Sequence, residues 1–539
     1  MGLIYLYETT AVDSAGTSHA IRLCTGLGYD ELDGPGPFEP AIAGGAVGLS
    51  IERNAFAGFA FGGWDISAGQ IEVMNTGGRF DAWLDWGFGR TATLKLGEEG
   101  APYAGFATVV SGTATEIRAE PGKLVLGWQS RMRELDEPVT TATFTGVAED
   151  LEGAESDKGR RKPQHDGWII QLTPELVDPA RRIYGWKWMP DGARGPTSGA
   201  LGAVRFRCSG WTKDTGAPGS VAGDYPNAAA LKAMLDTYSP VNGHFVTCLA
   251  ESLLLMGGSV PLNGPVTIDV TVPSNLALLW PGNLLKTQLL RAGVPAASIP
   301  EAQIAAINAA CPHPLRVVAH GDETFRELCD QIAAAAMVIY GEDALGRYRF
   351  KRLQAPEDAA AAAIFRRQSP DAEGAPAEGD LKACQPVTGE EWVPVKEVRV
   401  RWGRHATAVQ PSDVADAVWT GTPALAAYFT AEWRVTEPAV DAGVAARYPN
   451  ARSLTVDSIH ATEAGAVWLR DRLLAFFGAM RRSYSAKVSF GPAQAGAVDM
   501  GDVVELIQPA QGMQAGRKHT VLGIRHRIDT RSAEIKALG

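Results

Sequence analysis

Residues Ile71 to Asp136 constrain this chain more than any other stretch. They run Ile71-Glu-Val-Met-Asn, then Phe80-Asp-Ala-Trp-Leu-Asp-Trp-Gly-Phe-Gly-Arg, Thr91-Ala-Thr-Leu-Lys-Leu-Gly, Ala104-Gly-Phe-Ala-Thr-Val-Val, Lys123-Leu-Val-Leu-Gly-Trp and Arg131-Met-Arg-Glu-Leu-Asp. Short apolar runs, alternating or continuous, are punctuated by Gly, Pro, Asn and Asp. That is the pattern of consecutive antiparallel strands closing on themselves through tight turns. No catalytic apparatus is legible in it. The stretch reads as a rigid β-module whose turns and faces make contacts, and the remaining chain reads as additions to it.

At 539 residues the chain is too long for one core, and roughly three or four domains are expected. The 60 Gly and 33 Pro favour many turns and short strands without reaching the level of a disordered chain. The expected fold class is α+β and β-rich, with a small antiparallel β-barrel-like domain near each end and mixed α/β insertions between them. Residues 1–140 form the first of these, with 3–60 supplying its opening strands. An aromatic-rich mixed domain is expected over 141–265 and an α/β domain over 266–355. Residues 356–393, rich in Ala, Pro and acid, read as a linker with a strand around Ala363–Arg367 inside it. The second barrel-like domain, 394–539, is expected to carry one helix, from about Glu463 to Arg482, with Leu469, Leu473, Phe476, Phe477 and Met480 on its apolar face. A second helix is expected to start near Asp322, with Phe325, Leu328, Ile332 and Ile339 facing inward and Gly341 after its end.

Candidate chemistry is sparse. Trp186 and Trp188 lie two apart, so on one strand both rings share a face; with Trp211 they form a candidate platform or interface, against core packing as the plainer reading. In Leu345-Gly-Arg-Tyr-Arg-Phe-Lys-Arg, strand geometry puts Tyr348 and Phe350 in the core and Arg347, Arg349 and Lys351 on a solvated face, which competes with a nucleic-acid reading. Segments 147–166, acidic and then basic, read as a solvated loop, with Arg160, Arg161 and Lys162 meeting an acidic neighbour as the alternative. His320 stands beside Asp322 and Glu323, but those acids suit a helix start. No H-E-x-x-H, G-x-S-x-G, P-loop or dinucleotide-binding motif is present, so no catalytic, cofactor-binding or metal-ligating residue is nominated. Paired carboxylates such as Asp81 and Asp85 could in principle hydrolyse glycosides given suitable separation, and exposed acids are the plainer account.

Cys24, Cys208, Cys248, Cys311, Cys329 and Cys384 lack any C-x-x-C spacing and are expected as free, mostly buried thiols. The net charge of −11 argues against tight binding of a phosphate backbone. The first residues lack a secretory pattern, and no apolar run reaches the roughly 18 residues of a membrane span, so no stable membrane insertion is expected. The protein is expected to stay in the cytoplasm or to leave inside something larger.

The order of these segments resembles the tail-tip or baseplate hub proteins of long-tailed phages and phage-derived gene transfer particles. The residues carrying it are Ile71-Glu-Val-Met-Asn, Asp85-Trp-Gly-Phe-Gly-Arg, Leu94-Lys-Leu-Gly, Val110-Ser-Gly-Thr and Leu126-Gly-Trp-Gln-Ser-Arg-Met-Arg-Glu-Leu-Asp-Glu-Pro-Val. Further along stand Gly159-Arg-Arg-Lys-Pro, Pro174-Glu-Leu-Val-Asp-Pro, Phe245-Val-Thr-Cys, Thr267-Ile-Asp-Val, Trp468-Leu-Arg-Asp-Arg-Leu-Leu and Met500-Gly-Asp-Val-Val-Glu-Leu. The resemblance implies a homotrimer around a central channel, in which two barrel domains per subunit make a pseudo-sixfold ring. It implies as partners the tail tube ring or distal tail protein, the tape measure protein, and tip fibre or other baseplate proteins. DNA passes only in transit, and the location is the tail tip of a virion assembled in the host cytoplasm. No catalytic residues carry over. Two other readings stand beside it: a receptor- or glycan-binding tail module using Trp186, Trp188 and Trp211, and a carboxylate-based hydrolase.

Overall fold

A computed structural model describes residues 3–539 apart from 31–33, 43–49, 55–61, 68–69, 90, 130, 190, 197–200, 259–262, 273–274, 344, 368–378, 393, 490–497 and 528–531. With 39% strand against 25% helix the fold is β-rich, and it holds a closed six-strand barrel and a half-barrel sheet.

The opening stretch folds as expected. Its strands Gln70–Met74, Thr91–Glu98, Ala107–Glu120 and Lys123–Gln129 join Leu3–Val12, Ser18–Cys24 and Glu39–Pro40 in one seven-stranded sheet. A bridge between Ile42 and Val73 links its two rims. Alternation sorts the side chains: Tyr5, Tyr7, Ile21, Leu23, Leu94, Leu124 and Leu126 fill the inner core. Ile4 and Leu6 face the other way, under Phe38 and Phe106. Phe80–Trp86 is not a strand; Asp81–Asp85 is a 3-10 turn that lays Trp83 and Trp86 against the core.

The sequence expectation fails for the segment after residue 49. Ser50–Asn54 pairs with Arg517–Arg527, Asp65–Ser67 pairs with Ser50–Asn54, and Gly62–Gly63 pairs with Val338–Glu342. These are not opening strands of the first domain; they fasten the N-terminal segment to the C-terminal half. Trp64, fully buried, is the bolt. Its indole sits in the C-terminal core, its N–H donates to the Tyr340 carbonyl at 2.8 Å, and its Nε1–H donates to the Glu342 carbonyl at 3.0 Å.

Residues 141–265 and 266–355 do not separate at 265. Val266–Val272 lies inside a nine-stranded sheet, between Leu201–Phe206 and Gln164–Leu172, and Arg316–Ala319 is the sheet's edge. Helices Pro281–Arg291, Glu301–Ala310 and Phe325–Ala335 then pack with Met132, Leu135 and Val139 in a common core. The N-cap of the last helix is Thr324, not Asp322. The Thr324 hydroxyl accepts from the Glu327 N–H while Glu327 accepts from the Thr324 N–H, a reciprocal capping box. The helix stops at Ala335, and Met337, at φ 53°, reverses the chain into the strand Val338–Glu342, which holds Ile339 and Gly341. An unbroken apolar run such as Ile332–Tyr340 suits either structure, so periodicity could not place the break. Tyr348 and Phe350 are buried as expected, while Arg349 and Lys351 pair with Asp343 and Asp502 at 3.0 and 2.6 Å.

The closed barrel runs Ala363–Arg366, Gly379–Trp392, Arg481–Ser489, Ser532–Leu538, Arg517–Arg527 and Val503–Ile507, the last pairing back to the first. Two of its strands therefore come from the expected linker, of which 368–378 lies outside the described residues. Composition misled because Gly379–Trp392 buries Leu381 and Cys384 around a bulge that interrupts its alternation, and its partner lies about a hundred residues on. Closure leaves no free strand edge in this ring. Arg481, 1% exposed, ties in the turn Pro356–Asp358. It donates to both carboxylate oxygens of Glu357 at 3.0 and 3.2 Å and, through Nε, to the Phe476 carbonyl at 2.9 Å.

Over the barrel lies the helix Glu463–Phe477, with Leu469, Leu473, Phe476 and Phe477 buried; Met480 is beyond its end and exposed. Its neighbour is the sheet built on Val395–Trp402. The expectation of one helix in this domain is too low. Asp416–Gly421, Pro423–Thr430 and Ala442–Arg447 are also helical, short elements whose Ala-rich sequences carry too little apolar periodicity to announce themselves.

Candidate functional site

Burial dominates the chemistry-bearing residues. His165, His405, His460 and His519 are at most 5% exposed, and desolvation pushes them down to about 3, 4, 3 and 4. None is poised as a base near neutral pH. All six cysteines are buried free thiols, as their spacing suggested. His460 lies between the Cys311 thiol, 3.8 Å from Nε2, and the Ser458 hydroxyl, 2.7 Å from Nδ1. The order imitates a nucleophile–base–orienter relay, but the electrostatics run the other way. Burial pushes Cys311 up to about 12 and His460 down, so neither thiolate nor imidazolium is favoured. Among the described residues no group of three or more His, Cys, Asp or Glu is arranged to hold a metal ion.

The tryptophan platform does not assemble. The strand Ile183–Gly185 ends before both residues, so the shared face expected from their spacing is lost. Trp186, 1% exposed, packs with Ile169, Phe245 and Leu254. Trp188, 2% exposed, joins a separate core edge-on to Phe144, with ring centroids 5.4 Å apart. Trp211 is half-buried against Phe206. Asp81 and Asp85 open and close one exposed 3-10 turn, with Asp81 accepting from the Asn75 amide group at 2.7 Å. Arg160 and Lys162 do meet acidic neighbours: Arg160 pairs with Asp157 and Glu175, and Lys162, 6% exposed, with Glu152.

Among the described residues, a cleft of about 430 Å³ opens where the Arg316–Ala319 edge of the nine-stranded sheet meets the Val395–Trp402 sheet and its loops. Arg316, Val318, His320, Glu323, Arg404, His405, Ala406, Trp433, Asp457, Ser458 and Ile459 are among the residues that form its walls. Arg316 is positioned by its backbone N–H, which donates to the Ile459 carbonyl at 3.0 Å, and His405 by its own, which donates to the Glu432 carbonyl at 3.0 Å. Sequence reading passed over this cleft. Its one available signal was the lone Arg316 at the head of the otherwise apolar strand Arg316–Ala319.

No protein-family model matches the chain, and no curated protein sequence matches it. Solved structures do. A tail protein from Neisseria meningitidis MC58 is matched over 100% of this chain and 97% of its own, at 10% identity and a TM-score of 0.36. The 43 kDa tail protein of prophage MuSo2 from Shewanella oneidensis is matched over 99% and 98%, also at 10% identity and 0.36. The virion of a gene transfer agent is matched over 50% of this chain and 80% of that chain, at 13% identity and 0.17. The structures to which this chain is similar are thus phage tail proteins and phage-derived particles. No helix among the described residues is long and apolar enough to cross a membrane.

Proposed function

We propose that the chain is a structural component of a phage or phage-derived tail, acting as the hub of the tail tip or baseplate. Three copies form a ring around the DNA channel, joining the tail tube ring or distal tail protein above to tip fibre or baseplate proteins below, with the tape measure protein inside. The observation that carries this reading is a curled β-sheet domain in each half of the chain. One is the seven-stranded sheet bridged at its rims, the other the closed six-stranded barrel. Two such modules in each of three subunits suit a sixfold tube above and threefold fibres below.

Exposed apolar side chains support an assembling role. Met74 and Leu84 beside the first sheet, Leu276 and Leu278 before the helix Pro281–Arg291, and Val435 and Val440 on the small C-terminal sheet are all exposed in the single chain. Permanent interfaces cover surface of this kind. The turn Asn75–Arg79, with Arg79 paired to Glu39 at 2.9 Å, offers a defined contact on the first sheet's rim. The acidic balance suits a channel that passes DNA without holding it.

Size-exclusion chromatography with light scattering is the direct test. The expected result is a stable mass of three protomers, alone or on adding the tail tube protein. A monomer under both conditions, or a particle reconstruction with this chain away from the tip, overturns the proposal. A channel wall made mainly of Lys and Arg in that reconstruction would count against free DNA passage.

A further inference from the structure

The cleft beside Arg316 has a charge arrangement that the assembly role does not use. Arg316 is 6% exposed, and its Nη1 has no hydrogen-bond partner among the described residues. No carboxylate of the described residues forms an ion pair with it, and its charged neighbour is another cation, Arg404. Burial, and then Arg404, push Arg316 down to about 10, so it remains charged at neutral pH. His405 is 3% exposed, lies edge-on to Tyr428 with ring centroids 4.6 Å apart, and its ring is turned to the Ala431 backbone. Held down to about 4 by burial, it is neutral and supplies neither a second cation nor a counter-charge. Burying a cation without a counter-charge is costly, and an anion from outside offsets that through charge-assisted hydrogen bonds.

The remaining walls narrow the class of anion. Trp433, Val318, Ala406 and Ile459 supply apolar surface, and Arg404 lies over the Trp433 ring at 5.3 Å. Glu323 and Asp457 also border the cleft, and each is already held. One Glu323 oxygen accepts the N–H groups of His320 and Gly321 at 2.8 and 3.1 Å, and Asp457 pairs with Arg401. Their negative charge disfavours a dianion such as phosphate or a nucleic-acid backbone and tolerates a single charge near Arg316. The volume suits a ligand of about amino-acid size.

We propose that this cleft binds a single carboxylate carried on an apolar or aromatic body, with Arg316 as the charge partner and Trp433 as the flanking wall. The carboxylate comes either from a small molecule or from a protein segment, such as a chain terminus, laid into the cleft. All the residues that form this site belong to one chain.

Isothermal titration of the full chain with indole-3-acetate, indole-3-acetamide and inorganic phosphate tests it. Indole-3-acetate is expected to bind, and the isosteric amide to bind about tenfold or more weaker. Arg316→Met should weaken indole-3-acetate binding by about the same factor and leave the weak amide binding unchanged. Equal binding of acid and amide, or stronger binding of phosphate, overturns the proposal. If Arg316→Met does not fold, the acid–amide comparison on the unaltered chain decides by itself. A tripeptide ending in tryptophan with a free C-terminus, against its C-terminal amide, separates the sources. Preference for the free peptide over indole-3-acetate identifies a protein segment, and the reverse a small molecule.

Discussion

Replacing Trp64 probes how the N-terminal segment is fastened to the rest of the molecule. Its indole is fully buried among Ile339, Phe365 and the C-terminal barrel residues, and Gly341 is what admits it. A Cβ on Gly341 would lie 2.5 Å from the indole Cε2. Trp64→Ala removes a large buried ring and should cost about 3–5 kcal/mol locally. Trp64→Phe keeps most of the volume but leaves the Glu342 carbonyl without its indole donor, for about 1–3 kcal/mol. Gly341→Ala alone should cost about 1–3 kcal/mol by overpacking, and in the Trp64→Ala background that cost should largely vanish. A chain with several cores does not unfold in one step, so local opening free energies from hydrogen exchange are the measure. Protection should fall in peptides covering 338–352 and 517–527 and hold in the sheet strands 91–98 and 107–120. Additive costs in the double variant, or loss confined to the first sheet, would refute the fastening role of Trp64.

Four further outcomes are expected. Gly97→Ala should destabilise the first sheet by about 1–3 kcal/mol, because its Cβ would fall 2.6 Å from the Phe106 ring, and Phe106→Leu in the same chain should restore part of the loss in hydrogen exchange. Thr324→Ala should cost the helix Phe325–Ala335 about 1 kcal/mol, with Thr324→Ser recovering most of it; equal exchange in all three chains would mean the capping box contributes nothing. Glu357→Ala strips Arg481 of its counter-charge and should loosen 356–366 and the strand Gly379–Trp392; since Glu357 is itself 60% exposed, about 1–2 kcal/mol is expected, read as faster exchange there. The buried histidines make stability fall with acid. Unfolded, each takes a proton near 6.5, whereas burial holds His165 and His460 to about 3 and His405 and His519 to about 4 in the fold. Their contribution is whole above pH 6.5 and lost at about 1.4 kcal/mol per pH unit for each group as the pH falls toward those values. Thermal unfolding between pH 7.5 and 4.5 should show this slope, and His460→Gln should flatten it.

Local pattern was legible wherever it was regular. The strands of Ile71–Asp136, the inward Tyr348 and Phe350, the apolar face of Glu463–Phe477 and the burial of six unpaired cysteines follow from period-two and period-3.6 alternation and from cysteine spacing. The β-rich class with a curled sheet in each half was legible for the same reason. Partnership was not. Ser50–Asn54 looks the same whether it pairs with its sequence neighbours or with Arg517–Arg527, and Gly379–Trp392 reads as linker until Arg481–Ser489 supplies its ladder. Trp186 and Trp188 share a face only if the strand continues, and it ends at Gly185. The cleft is the extreme case, since Arg316 and His405 are about ninety residues apart and each is unremarked in its own segment. Alternation and capping are local energies that the sequence by itself determines. Which edge a strand joins, and which buried charge goes unpaired, is decided by contacts between distant residues that exist only once the sheets have assembled.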